Sequence, residues 1–176
     1  MKVSEPKIWL VADTHFNHAK MVEYGRPADF EVRLWDNLKV VQDGDILIHL
    51  GDFCIGNDRE NHERFMREVK GKKVLVRGNH DKKSDSWLYK AGWDFVCKEF
   101  KSRYFGIKCT FTHIPIPRNE TAYNFHGHTH GDAHRDEEFC NYYDKSFHKE
   151  VAMELTGYRP ILLTQKLLIN NNEAHS

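Results

Sequence analysis

The chain has 176 residues, and its 26 Lys plus Arg balance 26 Asp plus Glu, so the formal net charge is zero. That length suits one well-packed domain over 1–176, and the balance excludes a strong long-range field towards nucleic acid or an anionic membrane. No apolar run approaches the ~20 residues of a membrane span, and Met1 to Pro6 has no signal-peptide core, so a cytoplasmic chain is expected.

The first predicted element is a short strand over Lys7 to Ala12, ended by Asp13-Thr14-His15-Phe16-Asn17-His18. In extended backbone Asp13 and His15, two apart, point to one face and form half of a metal site. Arg26-Pro27 then interrupts regular structure. From Glu31 to Val41 the positions Val32, Trp35, Leu38 and Val41 recur at helical spacing and read as core. The strand Ile46 to Leu50 runs into Gly51-Asp52, with His49 inside it read as a core histidine. A helix over Asn57 to Lys70 turns Phe65, Met66 and Val69 inward, leaves His62 in solvent and ends at Gly71.

The third strand, Lys73 to Val76, leads into Arg77-Gly78-Asn79-His80-Asp81. Asn79 offers an amide oxygen, a hard ligand; His80 supplies an imidazole; Asp81 stands close enough to orient a partner. Each of the first three strands thus closes on polar residues, and open α/β sheets place their sites at the carboxyl ends of strands.

Beyond this point Asp85 to Ala91 is a short helix broken by Gly92, and Phe95 to Tyr104 pairs with Ile107 to His113 as a hairpin about Phe105-Gly106. The prolines of Ile114-Pro115-Ile116-Pro117 stop that strand just after His113. Ala122 to Phe125 leads into His126-Gly127-His128-Thr129-His130-Gly131, where His128 and His130 share a face and flanking glycines relieve crowding. His126 stands behind that pair. Asp132 to Lys149 reads as a loop, Lys149 to Leu155 and Pro160 to Leu163 as closing strands, and the tail from about 170 as frayed. The cysteines Cys54, Cys97, Cys109 and Cys140 lie far apart with no Cys-x-x-Cys pair, and read as reduced thiols. Twelve histidines, many beside Asp, Asn or Gly, point to metal chemistry instead.

In order, the blocks are Asp-x-His, Gly-Asp, Gly-Asn-His-Asp, a lone His and Gly-His-x-His, from residue 13 to 130. This order resembles the calcineurin-like metallophosphoesterase superfamily, and the Asp-Thr-His-Phe-Asn-His opening is similar to its small single-domain bacterial and phage branch. The resemblance implies a four-layer α/β/β/α sandwich with a two-metal site at one edge. It implies that Asp13, His15 and His130 hold one metal, that Asn79, His113 and His128 hold the other, and that Asp52 bridges them. Ligands without thiolate suit divalent transition metals: manganese is placed first, with iron, zinc, nickel or cobalt as alternatives.

The implied reaction is phosphoester hydrolysis, with a metal-bridging hydroxide as nucleophile and His80 as general acid. The second block departs from the serine/threonine phosphatase pattern: Gly51-Asp52-Phe53-Cys54-Ile55-Gly56 lacks the Asp and Arg expected there, so protein phosphatase activity is not expected. His80 then has either another partner, for which Asp81 is the candidate, or none. Arg26, Arg77 and Arg118 are candidate phosphate-binding cations, and His18 a candidate substrate contact. Short spacers leave little chain for a cap, favouring a shallow site for small or nucleotide phosphodiesters, and the lack of a dense Arg/Lys set to grip a dianion favours diesters over monoesters. Nucleic acid is a less favoured partner, and no membrane or protein partner is implied. A nuclease using Lys72, Lys73, Lys82 and Lys83, a phosphomonoesterase, and a catalytically idle metal-binding scaffold are the alternatives.

Overall fold

The computed structural model describes residues 5–132 and 137–169; the expected frayed tail lies outside them. Two sheets face each other. The first has strands β1 (Ile8–Val11), β2 (Ile46–His49), β3 (Lys72–Val76) and β4 (Phe95–Cys97), all parallel, with β9 (Ile161–Leu162) antiparallel beside β1, in the order β4-β3-β2-β1-β9. The second runs β5-β6-β7-β8, from β5 (Glu99–Tyr104), β6 (Ile107–Thr112), β7 (Tyr123–His126) and β8 (His148–Glu150). Only β5 is antiparallel to its neighbour there.

Alternation along each strand divides the packing. Leu10, Ala12, Ile48, Leu50 and Val76 meet Cys109, Phe111, Tyr123, Phe125 and Val151 between the sheets. Phe111 is stacked between Phe100 and Phe125, at 4.6 and 5.3 Å. The other face of the first sheet buries Val11, Leu47 and Leu75 beneath α2 (Phe30–Leu38), α3 (Asp58–Glu68) and α4 (Asp85–Ala91). Outside the second sheet lies a polar layer: Thr110, Asn124 and His148 are buried and bonded to Thr121, the Ile116 amide and the Ile116 carbonyl. Loops 114–121 and 141–147, with the short helix α5 (Glu137–Cys140), supply that cover. Two more single-turn helices, α1 (Lys20–Glu23) and α6 (Met153–Thr156), and α7 (Gln165–Ile169) complete the chain.

Several expectations change in detail. The run Phe95 to Tyr104 is two strands in different sheets, split at Lys98; the hairpin about Phe105–Gly106 is β5 with β6. Lys149 to Leu155 is not one strand, since β8 gives way to α6. Within the expected loop after Asp132, α5 forms. Val32 of α2 is 63% exposed, and Phe30 and Leu34 take the inward places with Trp35 and Leu38. His62 is buried rather than solvated, accepting the Trp93 indole N–H on Nδ1 at 2.9 Å. Gly71 does not cap α3, which ends at Glu68; a Cβ on Gly71 would sit 2.6 Å from the Asp45 carbonyl oxygen. Cys54, Cys97 and Cys109 form no disulfide. Among the described residues no helix is long and apolar enough to cross a membrane.

Candidate metal centre

The carboxyl ends of β1, β2 and β3 and those of β6 and β7 converge at one edge of the sandwich. A parallel bridge between Ala12 and Ala152 joins the two sheets there. The loop after β1 is zipped onto the loop after β2: the Asp13 and His15 amides donate to the Gly51 and Asp52 carbonyls, and Phe16 N–H to the Phe53 carbonyl. Both phenylalanines plunge into the core, Phe16 stacked on Trp35 at 4.1 Å and packed against Phe53 at 5.5 Å. Anchored aromatic side chains thus hold the ligand-bearing turns rigid.

The turns are not extended. Asp13, His15, Asp52, His128 and His130 all adopt left-handed backbone, with φ of 55°, 47°, 57°, 75° and 52°. The sequence argument that Asp13 and His15 share a face through extended geometry is therefore corrected: consecutive tight turns bring them together. Such conformations cost of order 1–3 kcal/mol each and persist where surrounding structure enforces them, typically at functional sites. Glycine removes the remaining obstacles. A Cβ on Gly78 would overlap Asp52 Oδ1, and one on Gly127 would overlap Asp13 Oδ2.

Two ligand groups result. Asp13 Oδ1 lies 4.0 Å from His15 Nε2 and 3.8 Å from His130 Nε2. Asn79 Oδ1 lies 3.0 Å from both His113 Nε2 and His128 Nδ1, which are 3.2 Å apart. Between the groups, Asp52 Oδ2 is 3.6 Å from His15 Nε2 and 3.4 Å from His113 Nε2. The structure thus brings together all seven residues expected as ligands.

This donor set fits divalent cations. His113 Nδ1 donates its hydrogen to the Leu50 carbonyl at 2.7 Å, so once the ring gives up its second proton Nε2 turns a lone pair towards the Asn79 and Asp52 oxygens. His130 Nδ1 likewise bonds the Glu154 carboxylate at 2.9 Å, turning Nε2 inward. Both ring nitrogens of buried His15 lack any hydrogen-bond partner among the described residues. Converging lone pairs repel unless a positive charge sits among them, and oriented second partners are the usual mark of ligating histidines. The electrostatics agree. Burial raises the Asp13 carboxyl to about 7. Burial also opposes charge on His113, but the Asp52 bond and Asp13 outweigh it and lift that ring to about 9. Cations binding here would displace such protons.

Sequence reading misses what holds this set from behind. Arg26 is a correction: it is buried, donating from Nη1 to the Thr14 carbonyl (3.0 Å), from Nη2 to the Asp13 carbonyl (2.6 Å) and from Nε to Glu154 (2.7 Å). It grips the ligand turn rather than facing a phosphate. Glu154, in α6, joins Arg26 to His130 and carries no flag in the sequence. Its removal is measurable: Glu154→Gln should weaken metal affinity about 10–100-fold, read by calorimetric titration, as loss of an outer partner typically does. Unchanged affinity would show the link to be idle.

Asp81 is also corrected as the partner of His80. Its carboxylate accepts the amides of Gly78 (2.8 Å), Asp52 (3.0 Å) and Phe53 (3.0 Å), stapling the second turn to the third. His80 instead has its amide on Asp52 Oδ1 at 2.9 Å and Nε2 3.9 Å from Asp52 Oδ2, with its side chain 45% exposed at the rim. Arg77 is tied to Asp85 and to the Asp81 and Lys83 carbonyls, and Arg118 to Asp144 and Ser146, so neither is presented to the centre. His49 is a core histidine, held between Thr14 Oγ1 (2.9 Å) and the Gly51 amide (3.1 Å). His126 is buried, with Nδ1 on the Gly127 carbonyl. His18 packs against His15, ring centroids 5.5 Å apart.

A further cluster, Cys54, Asp58 and His62, is close-set, but its positions are occupied. The His62 Nδ1 takes the Trp93 N–H, Lys83 Nζ lies 3.5 Å from Asp58, and burial pushes the Cys54 thiol up, away from the thiolate a metal needs.

Comparison with known proteins identifies the family. The calcineurin-like phosphoesterase family model matches residues 6–157. An uncharacterized protein of Methanocaldococcus jannaschii, MJ1445, is 33% identical, over 92% of this chain and 89% of that one. A protein of unknown function from Aquifex aeolicus, AQ665, superposes with a TM-score of 0.71 at 25% identity, covering 89% of this chain and 95% of the other. An archaeal phosphodiesterase gives a TM-score of 0.48 at 17% identity, covering 89% and 99%. The two-sheet sandwich, the metal-fitting strand ends and the match across most of the chain lead to one statement: this chain belongs to the calcineurin-like phosphoesterase family, hydrolases of phosphoric esters.

Proposed function

We propose that the chain is a binuclear metal-dependent phosphodiesterase acting on small or nucleotide phosphodiesters. In this reading Asp13, His15 and His130 hold one cation, Asn79, His113 and His128 the other, and Asp52 both. Manganese is the first candidate, then iron, zinc, nickel or cobalt; a nitrogen and oxygen donor set without thiolate suits each of them. When bound there, such cations would supply positive charge for the phosphoryl oxygens and would lower the pKa of a bound water. The observation that carries the reading is the position of Asp52 Oδ2, within 3.6 Å of a ligand nitrogen from each group.

The chain's own residues do the rest. Asp52 fixes the His80 backbone, so the imidazole stands at the rim of a cleft lined by Asp52, Asn79, His128 and His130. From there it delivers a proton to the departing oxygen. The diester preference rests on the cationic side chains. A monoester dianion calls for several free arginines or lysines, yet Arg26, Arg77 and Arg118 are all engaged elsewhere. A nuclease reading loses support for a related reason. Lys72 and Lys73 begin β3, at the opposite end from Asn79, Lys73 is buried and Lys83 lies 3.5 Å from Asp58, which leaves Lys82 as the one of the four lysines beside the third ligand turn.

The test is hydrolysis by metal-stripped protein resupplied with single metals. Bis-p-nitrophenyl phosphate should be turned over at least ~10-fold faster than p-nitrophenyl phosphate at equal concentration. A reversed ratio would make the enzyme a monoesterase, and steep loss of activity with added salt would restore the nuclease.

A further inference from the structure

Four aromatic rings lead outward from the centre. His80 and His15 are 5.6 Å apart between centroids, His15 and His18 5.5 Å, and His18 and Tyr24 6.5 Å, the last meeting edge to face. They line a cavity of about 760 Å³ that also touches Lys20, Met21, Ile55 and Glu154. Tyr24 closes its outer end at 67% exposure, an unusual place for a large aromatic side chain, while Met21 and Ile55 supply an apolar floor. His80 borders both this cavity and the cleft over the ligands. If His80 protonates the departing oxygen, whatever hangs from that oxygen extends into this cavity.

We propose that the cavity walled by His18, Met21, Tyr24 and Ile55 is a subsite for the nucleoside carried on the departing oxygen, with the base stacked on Tyr24. The assignment rests on the phosphodiesterase reading above. A flat base matches an exposed ring beside an apolar floor, and stacking is indifferent to base identity because every base has a π-face. The polar rim of His18 and Lys20 faces the sugar hydroxyls. A cavity of this size falls in the range that encloses small ligands. An alkyl leaving group would offer Tyr24 no π-face to stack on.

The experiment titrates metal-loaded protein with adenosine 5′-monophosphate and with ribose 5-phosphate, which carry the same phosphate and differ by the base. The monophosphate should bind at least ~10-fold more tightly, and Tyr24→Ala should remove that difference while Tyr24→Phe retains it. Because Tyr24 is exposed, the alanine variant leaves the core intact. Equal affinity of the two ligands for the unaltered protein would overturn the subsite. So would a difference that persists in Tyr24→Ala. Hydrolysis of bis-p-nitrophenyl phosphate by the same preparation separates the two failures: turnover with equal affinities sinks the subsite alone, while no turnover with any metal sinks the reading beneath it as well.

Discussion

Asp52→Asn should abolish hydrolysis, lowering kcat by more than the ~10–100-fold that loss of an outer partner costs, and by about 10³-fold or beyond. The reason is positional. Asp52 Oδ2 is the atom that stands between His15 Nε2 and His113 Nε2, and so between the two ligand groups. An amide there keeps an oxygen for the His80 N–H but removes the negative charge that draws two cations to one point. Burial disfavours the Asp52 carboxylate, yet the bond from His113 and the nearby imidazoles hold it well below the usual carboxylate range, so it is charged at neutral pH. The variant should bind one ion where the proposed centre would hold two. Activity within tenfold of the native enzyme would contradict the bridging role.

His80→Asn should show a different signature. A general acid contributes ~10²–10⁴-fold when the departing group is a poor one and little when it leaves unaided. Turnover of a dinucleotide, whose alkoxide needs a proton, should therefore fall by at least ~10²-fold, while bis-p-nitrophenyl phosphate, which releases a stable phenolate, should fall by less than about tenfold. A residue that only shaped the site would lower both rates together. Equal losses on the two substrates would reassign His80 to positioning. The His80 side chain is half-exposed and its Nε2 stands 3.9 Å from Asp52 Oδ2, beyond hydrogen-bond reach, so the substitution does not threaten the fold.

Much of this centre is legible in the sequence because its candidate ligands are concentrated at strand ends. Short apolar runs ending in Asp13, Asp52 and Asn79 point to a carboxyl-edge site without any knowledge of contacts. The blocks holding His113 and the pair His128 and His130 belong to the same edge, although the backbone that brings such pairs together is left-handed, a property that residue spacing does not reveal. What escapes is the support. Arg26 resembles a phosphate ligand because an arginine between a glycine and a proline in a loop suggests exposure. Its role depends on Glu154, 128 positions away, and only the folded chain shows that pairing. Asp81 escapes for a similar reason: its three acceptor bonds go to backbone amides, which carry no sequence signature. The split at Lys98 is invisible because a polar pair such as Lys98-Glu99 also fits the exposed part of one continuous strand; register with two different sheets decides the break. His62 is misplaced because a polar residue in a charged helix reads as solvated until its aromatic neighbours are known.

The most direct measurement is the number of divalent ions the chain holds. Protein stripped with a chelator, resupplied with manganese and freed of excess by gel filtration, should carry two ions per chain by elemental analysis, with hydrolysis of bis-p-nitrophenyl phosphate rising as the second site fills. One ion, or none, with the fold intact would contradict the paired centre built from Asp13, His15 and His130 on one side and Asn79, His113 and His128 on the other.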